Sequence, residues 1–367
     1  MKLSIQGMGV VGGFGCGTEA LLSVLSSGQC APQHVSVKTS QGPLDLAVFC
    51  ADTSRLEEFV NRKSLRRVDH FSKMSLLGSH LALQDAGKLE EDHSRMGIII
   101  ATGYGPTRTT YAFLDSFILD GDTLSSPTFF SNSVHNAAVA SVSMLLGITG
   151  PGLTVTQFEM SVASALLTAR CWLEEGSVDS VLFGAVDEYC DVLGYCWHRF
   201  FGEKATADHE MKPFEFSLQT AIPGEGAIFF LLTRADEGVS PYGCIEDIMI
   251  DRRGGNPLEI PKDTLLLIGA DGHKQNGRRY KKHLPEDGQV ACYTPVYGSL
   301  PVSPAFDMAI AALSFKKDLI FPSQTYAGKS TTEKITYTEK YLEISRIACL
   351  KISWSGETGL ISLTRGC

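Results

Sequence analysis

Apolar positions along this chain recur with two periods, and the switches between them mark short strands and amphipathic helices in alternation. Leu3-Ser-Ile-Gln-Gly reads as a short strand, Glu19 to Ser27 as a helix closed by Gly28, and Phe71 to Ala86 as a longer helix ended by Gly87. Met96-Gly-Ile-Ile-Ile-Ala is a β-branched run apolar on both faces, which predicts a buried strand. A helix is expected over Ala137 to Leu146, then a strand at Thr154-Val-Thr leading into a helix from Met160 to Glu175. Ser180 to Val186 and Ala227 to Leu232 read as further strands. The same order then partly repeats, with strands near Cys244 to Ile250 and Thr264 to Gly269, a helix from Ala305 to Phe315, and a terminal strand pair around Leu350 to Leu363. The pattern predicts mixed α/β layers in two related halves, 1–238 and 239–367, joined near Arg234 to Ser240.

Composition narrows the function classes. With 367 residues, 44% hydrophobic and 20% charged, the chain can bury a large core. A net charge of −9 argues against a general nucleic-acid binder. Arg278-Arg279-Tyr280-Lys281-Lys282 is a local basic patch, expected as a solvated loop, with docking of an acidic carrier protein as its functional reading. The chain enters a strand at once without a basic flank, and no apolar run nears the roughly 18 residues a membrane span needs, so a cytoplasmic location is expected. Its ten cysteines form no Cys-x-x-Cys pair and have no histidine cluster beside them. Neither a metal site nor a disulfide framework is expected, and most of the cysteines read as small buried apolar side chains. Gly7-Met-Gly-Val-Val-Gly12 matches a dinucleotide fingerprint, but Ser26-Ser-Gly-Gln-Cys-Ala-Pro stands where the acidic residue should follow, which favours a structural glycine turn and no cofactor.

Several segments, taken in order, carry a stronger signal. Ile5-Gln-Gly-Met-Gly-Val-Val, Leu65-Arg-Arg-Val-Asp-His-Phe-Ser, Ser126-Pro-Thr-Phe-Phe-Ser-Asn-Ser-Val-His-Asn-Ala-Ala, Gly150-Pro-Gly-Leu-Thr-Val-Thr-Gln-Phe-Glu-Met-Ser, Pro213-Phe-Glu-Phe and Gly224-Glu-Gly-Ala together resemble the β-ketoacyl synthase family. The resemblance spans almost the whole chain and implies a thiolase-like fold of two related α/β halves in five layers, α-β-α-β-α. The reactive cysteine of that family lies eight residues past the proline of its Gly-Pro pair, and the count from Pro151 lands on Glu159. The segment Leu267-Ile-Gly-Ala-Asp271-Gly-His273 sets Asp271 where the family's first histidine belongs, with His273 two positions late. Gly298-Ser-Leu-Pro-Val-Ser-Pro304-Ala contains neither the second histidine nor its lysine, and Pro304 is taken as the degenerate position. Lys351-Ile-Ser-Trp354-Ser-Gly-Glu-Thr-Gly is similar to the family's glycine-rich closing turn, with less glycine and so a stiffer loop.

These substitutions bear on chemistry. A thiolate at a helix N-terminus is a strong nucleophile, while a carboxylate is a weak one. Neutral histidine N–H groups stabilise an enolate, and an aspartate in their place repels it. The resemblance therefore implies a cysteine-less subunit of the chain-length-factor type, similar to those of type II polyketide and aryl polyene pathways, which pairs with a catalytic ketosynthase and shapes the acyl tunnel while an acyl carrier protein delivers substrate. Such a chain does not condense by itself. Phe129, Phe130, His135 and Asn136, with the strand Thr154–Thr156, are the expected interface, and Phe158 and Met160, flanking Glu159, the expected tunnel wall. His135 is expected to be a hydrogen-bonded interior or interface histidine, and Asp187-Glu188 to sit in a strand-end loop. Two other readings stay open: a divergent enzyme using Glu159, as a malonyl decarboxylase or acyl hydrolase, and an acyl-binding homodimer.

Overall fold

The computed structural model describes residues 1–28, 30–202, 210–235, 240–252, 260–261, 263–285, 289–323, 340–341 and 344–366. The β-branched and apolar runs pair into an 11-stranded mixed sheet. The first half of the chain supplies β1 (Leu3–Gly12), β2 (Met96–Thr102), β3 (Gly152–Thr156), β4 (Ser180–Asp187) and β5 (Gly226–Arg234). The second supplies β6 (Cys244–Asp251), β7 (Thr264–Ile268), β8 (Gln289–Ala291), β9 (Arg346–Ile352) and β10 (Thr358–Thr364). The remaining strand, Gly15–Cys16, pairs back on β1.

Neighbours run in the order β8-β7-β9-β10-β6-β1-β5-β4-β2-β3. Within the first set β2 is parallel to β3 and β4, while β5 is antiparallel to β4 and β1. The second set repeats this: β7 is parallel to β8 and β9, and β10 is antiparallel to β9 and β6. Among the described residues the two sets are joined by the short antiparallel pairing of Leu3 with Ile245 and Ser4 with Cys244.

Helices fill the space around and between the sets. They are α1 (Thr18–Ser27), α2 (His70–Asp85), α3 (Thr107–Asp120), α4 (Pro127–Ser133), α5 (Ala137–Leu146), α6 (Ser161–Glu174), α7 (Asp191–Phe201), α8 (Lys274–His283), α9 (Thr294–Tyr297) and α10 (Ser303–Lys317). α2 and α5 cover the outer face of the first set, and Tyr280 of α8 packs on the outer face of the second. α6 and α10 lie in the middle, touching strands of both sets. α10 is apolar nearly all round, from Pro304 to Phe315, because both of its sides face sheet. The result is the α-β-α-β-α layering that the resemblance implies.

Several elements differ from the sequence expectation. β1 runs on through the Gly-x-Gly-x-x-Gly stretch, so those glycines lie in a strand and not in a turn. A Cβ at Gly9 would stand 2.0 Å from the carbonyl oxygen of Gly78, and one at Gly7 would stand 2.5 Å from that of Ala82. These glycines let α2 lie directly on the strand. The basic run 278–282 belongs to α8 instead of a loop, with Lys281, Lys282 and His283 in the last turn, where the helix dipole favours cations. The helix after β3 begins at Ser161, preceded by a tight 3-10 turn at Phe158–Met160. A hairpin, Gln33–Thr39 with Gly42–Val48, and helices α3, α4 and α7 were not anticipated.

The cysteines also differ. Of the described free ones Cys190, Cys292 and Cys349 are buried, Cys171 is exposed, and the others are partly exposed. Cys244 is disulfide-bonded. No helix among the described residues is long and apolar enough to cross a membrane.

Candidate functional site

The turn that delivers Glu159 is fixed from three sides. Phe158 holds a left-handed backbone at φ +44°, a conformation a bulky residue adopts only where its surroundings enforce it. The N–H of Gln157 donates to Ser161 Oγ (2.7 Å), Ser161 Oγ donates to the carbonyl of Thr102 (2.8 Å), and Ser164 Oγ donates to Gln157 Oε1 (2.6 Å). Glu159 thus stands immediately before the first turn of α6. Burial raises its pKa above the usual range, and the charge of the Lys351 ammonium opposes that rise.

Behind it lies a buried ion pair. Lys351 Nζ sits 3.1 Å from Asp271 Oδ2, and both side chains are almost wholly enclosed. Ser299 Oγ donates to the same oxygen (2.9 Å), and Lys351 also donates to the carbonyl of Gly269 (3.2 Å). Burial disfavours the Asp271 charge, but Lys351, His273 and Ser299 together overcome it and hold the carboxyl at about 2. Asp271 Oδ1 is buried without a hydrogen-bond partner.

Aromatic rings enclose these charges. The His273 ring lies 4.8 Å from those of Trp197 and Phe201 and 5.3 Å from that of Trp354, in edge-to-face contact. Its Nδ1 faces Gln219 Nε2 at 3.1 Å, and burial holds the imidazole pKa down. Tyr104 stands edge-on to Phe158 at 6.1 Å, and burial pushes its hydroxyl pKa up. Asp187, at the end of β4, pins that loop: Oδ1 accepts from Thr102 Oγ1 (2.8 Å), Gly103 N (2.9 Å) and Tyr104 N (3.0 Å), and Oδ2 accepts from Val302 N (3.3 Å). The 353–357 loop is tightly tied, with Arg279 donating to the carbonyls of Ser353 (3.0 Å) and Trp354, and Glu357 N donating to Ser353 Oγ (2.9 Å).

Glu159, Asp271 and Trp354 lie in one region, to which the structure adds Lys351, Ser299, Tyr104 and Trp197. Pro304 lies in the buried first turn of α10, and it is Ser299 that reaches Asp271. Met160 is buried, its sulfur against Gly359, while Phe158 is 58% exposed. Phe129 and Phe130 are exposed on α4, and His135 and Asn136 are exposed before α5, so an interior position for His135 is ruled out. Lys351 is open to detection in the sequence, as a charge inside the otherwise apolar stretch that follows Arg346 in β9. Tyr104 and Trp197 carry no motif.

This arrangement has no thiol at the head of α6, and the imidazole nearest the turn is stacked among rings. The buried Lys351 ammonium is paired with Asp271 and only influences Glu159 through its charge. Among the described residues no group of three or more His, Cys, Asp or Glu could hold a metal ion.

Comparison with known proteins agrees with this geometry. The profile of the β-ketoacyl synthase N-terminal domain matches residues 2–238. Nodulation protein E of Rhizobium meliloti is 25% identical over 228 residues, covering 62% of this chain, which spans only 56% of that protein's length. A putative polyketide β-ketoacyl synthase 1 of Streptomyces virginiae is 24% identical over 88% of this chain and 87% of its own. Among solved structures, the ishigamide ketosynthase/chain length factor superposes with a TM-score of 0.81 at 15% identity, covering 99% of this chain and 98% of its own. A β-ketoacyl synthase from Burkholderia phymatum gives 0.80 at 14% identity, with both chains fully covered. These likenesses show a thiolase-like fold, and the match over residues 2–238 shows that the chain belongs to the β-ketoacyl synthase family.

Proposed function

We propose that this chain is a non-catalytic, chain-length-factor-type subunit that pairs with a catalytic ketosynthase and shapes the acyl tunnel while carrier-bound acyl groups are extended in the cytoplasm. The observation that carries the reading is the state of Glu159. A carboxylate, a weak nucleophile, stands immediately before the first turn of α6 where a condensing enzyme needs a thiolate, and burial raises its pKa. Asp271 and Lys351 form a buried ion pair in the second half of the same site. Nucleophile and proton-handling groups act as a unit, so their joint absence leaves little residual chemistry.

The surface supports pairing. β3 ends the sheet with one edge unpaired among the described residues, and an open edge is a template for another chain. Apolar side chains stand exposed around it: Leu153 on the strand, Met144 (76%) and Leu145 on α5, Val134, and Phe129 and Phe130 on α4. Such a patch marks a protein interface. The ishigamide structure that superposes so closely is a ketosynthase/chain length factor, and a second neighbour, with a TM-score of 0.68 at 14% identity, is a type II acyl-carrier protein in complex with its ketosynthase. Exposed Lys63, Arg66 and Arg67, with Lys274, Arg278, Lys281 and Lys282 along α8, offer basic ground for an acidic carrier on a chain of net charge −9.

Co-expression with a candidate ketosynthase tests the reading. A stoichiometric complex whose product length shifts when Phe129 and Phe130 are resized supports it. A stable homodimer that ignores the ketosynthase favours an acyl-binding protein, and product lengths indifferent to bulk remove the tunnel role.

A further inference from the structure

We propose that Trp197, beside Tyr104, is a partition that closes this subunit's own site to pantetheine-linked acyl groups, so that a carrier-bound chain enters the complex through the partner's site alone. The inference rests on the subunit reading above and specifies which protomer binds the substrate.

Trp197 and Pro223 border two separate spaces. On the inner side, with Tyr104, Asp187, Leu193 and Ser299, they enclose about 20 Å³. That volume is room for about one water molecule and excludes an alkyl chain. On the outer side, with Leu44, Leu46, Phe201 and Gln219, they border a cavity of about 340 Å³. The indole is therefore a wall between a remnant beside the charged cluster and a chamber large enough for several carbons.

The wall is braced on every side. Tyr104 lines the small inner space together with Trp197 and stands edge-on to Phe158. The backbone N–H of Tyr104 is held by Asp187, itself buried. On the other flank the indole rests against His273, which stacks on Phe201 and Trp354, and the Trp354 carbonyl is held by Arg279. Rings joined edge to face, each fixed by a hydrogen bond or a neighbouring ring, resist rotation, so the partition does not act as a swinging gate.

The test uses the full-length chain with octanoyl-pantetheine as probe, read by isothermal titration calorimetry. The wild-type protein is expected to give no saturable binding up to millimolar probe. Trp197→Ala joins the two spaces, and with Tyr104→Ala it is expected to bind the probe at least tenfold more tightly than wild type. Far-UV circular dichroism and the melting temperature establish that each variant is folded, and Trp197→Phe, which keeps a ring but loses the N–H, is expected to bind weakly or not at all. Wild-type protein that binds the probe as tightly as the double variant overturns the proposal, as does a folded double variant that still fails to bind. Complex formation between wild-type chain and ketosynthase is measured alongside. Loss of that complex rejects the subunit reading, whereas an intact complex with an open wild-type pocket rejects the partition alone.

Discussion

At the scale of single residues the decisive feature is a charge arrangement that replaces one chemistry with another. Lys351 pairs with Asp271 and influences Glu159 through its charge in a nearly dry setting, and removing one member of a buried pair leaves an uncompensated charge. Lys351→Met is therefore expected to destabilise the chain by about 3–5 kcal/mol in chemical denaturation. Lys351→Met combined with Asp271→Leu should recover most of that loss, and an equal or larger loss in the double variant contradicts the pairing. Restoring sulfur alone should not restore condensation: Glu159→Cys keeps Asp271 and Ser299 where an enolate would need neutral donors, so no elongated product is expected by mass spectrometry.

The other buried carboxyls set a pH dependence. Burial pushes Glu188 up to about 8, Asp307 to about 7 and Asp187 to about 6, each against weaker opposing hydrogen bonds or charges. A carboxyl with a raised folded pKa binds more protons in the native state than in the unfolded one. Its stabilising effect is complete below the unfolded pKa, roughly 4, and is lost as pH climbs through the folded value. Asp271 has the opposite sign, contributing above roughly 4 and failing only as pH drops toward about 2. The denaturation midpoint should therefore fall as pH rises from about 5 to 8. A midpoint that climbs over that interval would show these groups to be ionised in the folded protein.

At the scale of elements, what was legible depended on how many partners an element has within this chain. β2 and α10 are buried on all sides, and their apolar runs revealed them. α3 and α4 keep much of their apolar surface exposed, with Ile118 and Leu119 at 74% and 81%, so their pattern had no partner within this chain to explain it. α7 was missed for a related reason, since Gly194, Trp197 and Phe201 serve cavities instead of a core. The glycine motif of β1 reads as a turn in the sequence but lies in a strand, because only the tertiary fold shows α2 lying on it. Gly9→Val tests that packing. The added atoms meet the α2 backbone, which cannot yield as a flexible side chain could, and a loss of about 3 kcal/mol or failure to fold is expected from thermal or chemical denaturation. Near-wild-type stability would mean that the strand and helix are not so closely apposed.

For the whole molecule, the repeated strand order of β1–β5 and β6–β10 supports reading residues 1–238 and 239–367 as two related halves, a division we offer as a proposal. Collinear motifs made the family readable, and spacing from Pro151 located Glu159 without the fold. The charge cluster was not readable, because Lys351, Ser299 and Asp271 meet only when β9 and the loops after β7 and α9 come together. The open edge of β3 and its apolar surroundings belong to this scale as well. Leu153→Asp with Met144→Glu is expected to abolish complex formation with a ketosynthase, read by size-exclusion chromatography with light scattering, while leaving the melting temperature of the chain within a few degrees.

The account stands or falls on whether this chain can carry out extension unaided. Purified to freedom from other ketosynthases, it should leave malonyl- and acyl-loaded carrier proteins unchanged by mass spectrometry over hours, while the same preparation mixed with a catalytic ketosynthase yields elongated product. Elongation of the acyl group by the isolated chain would contradict it.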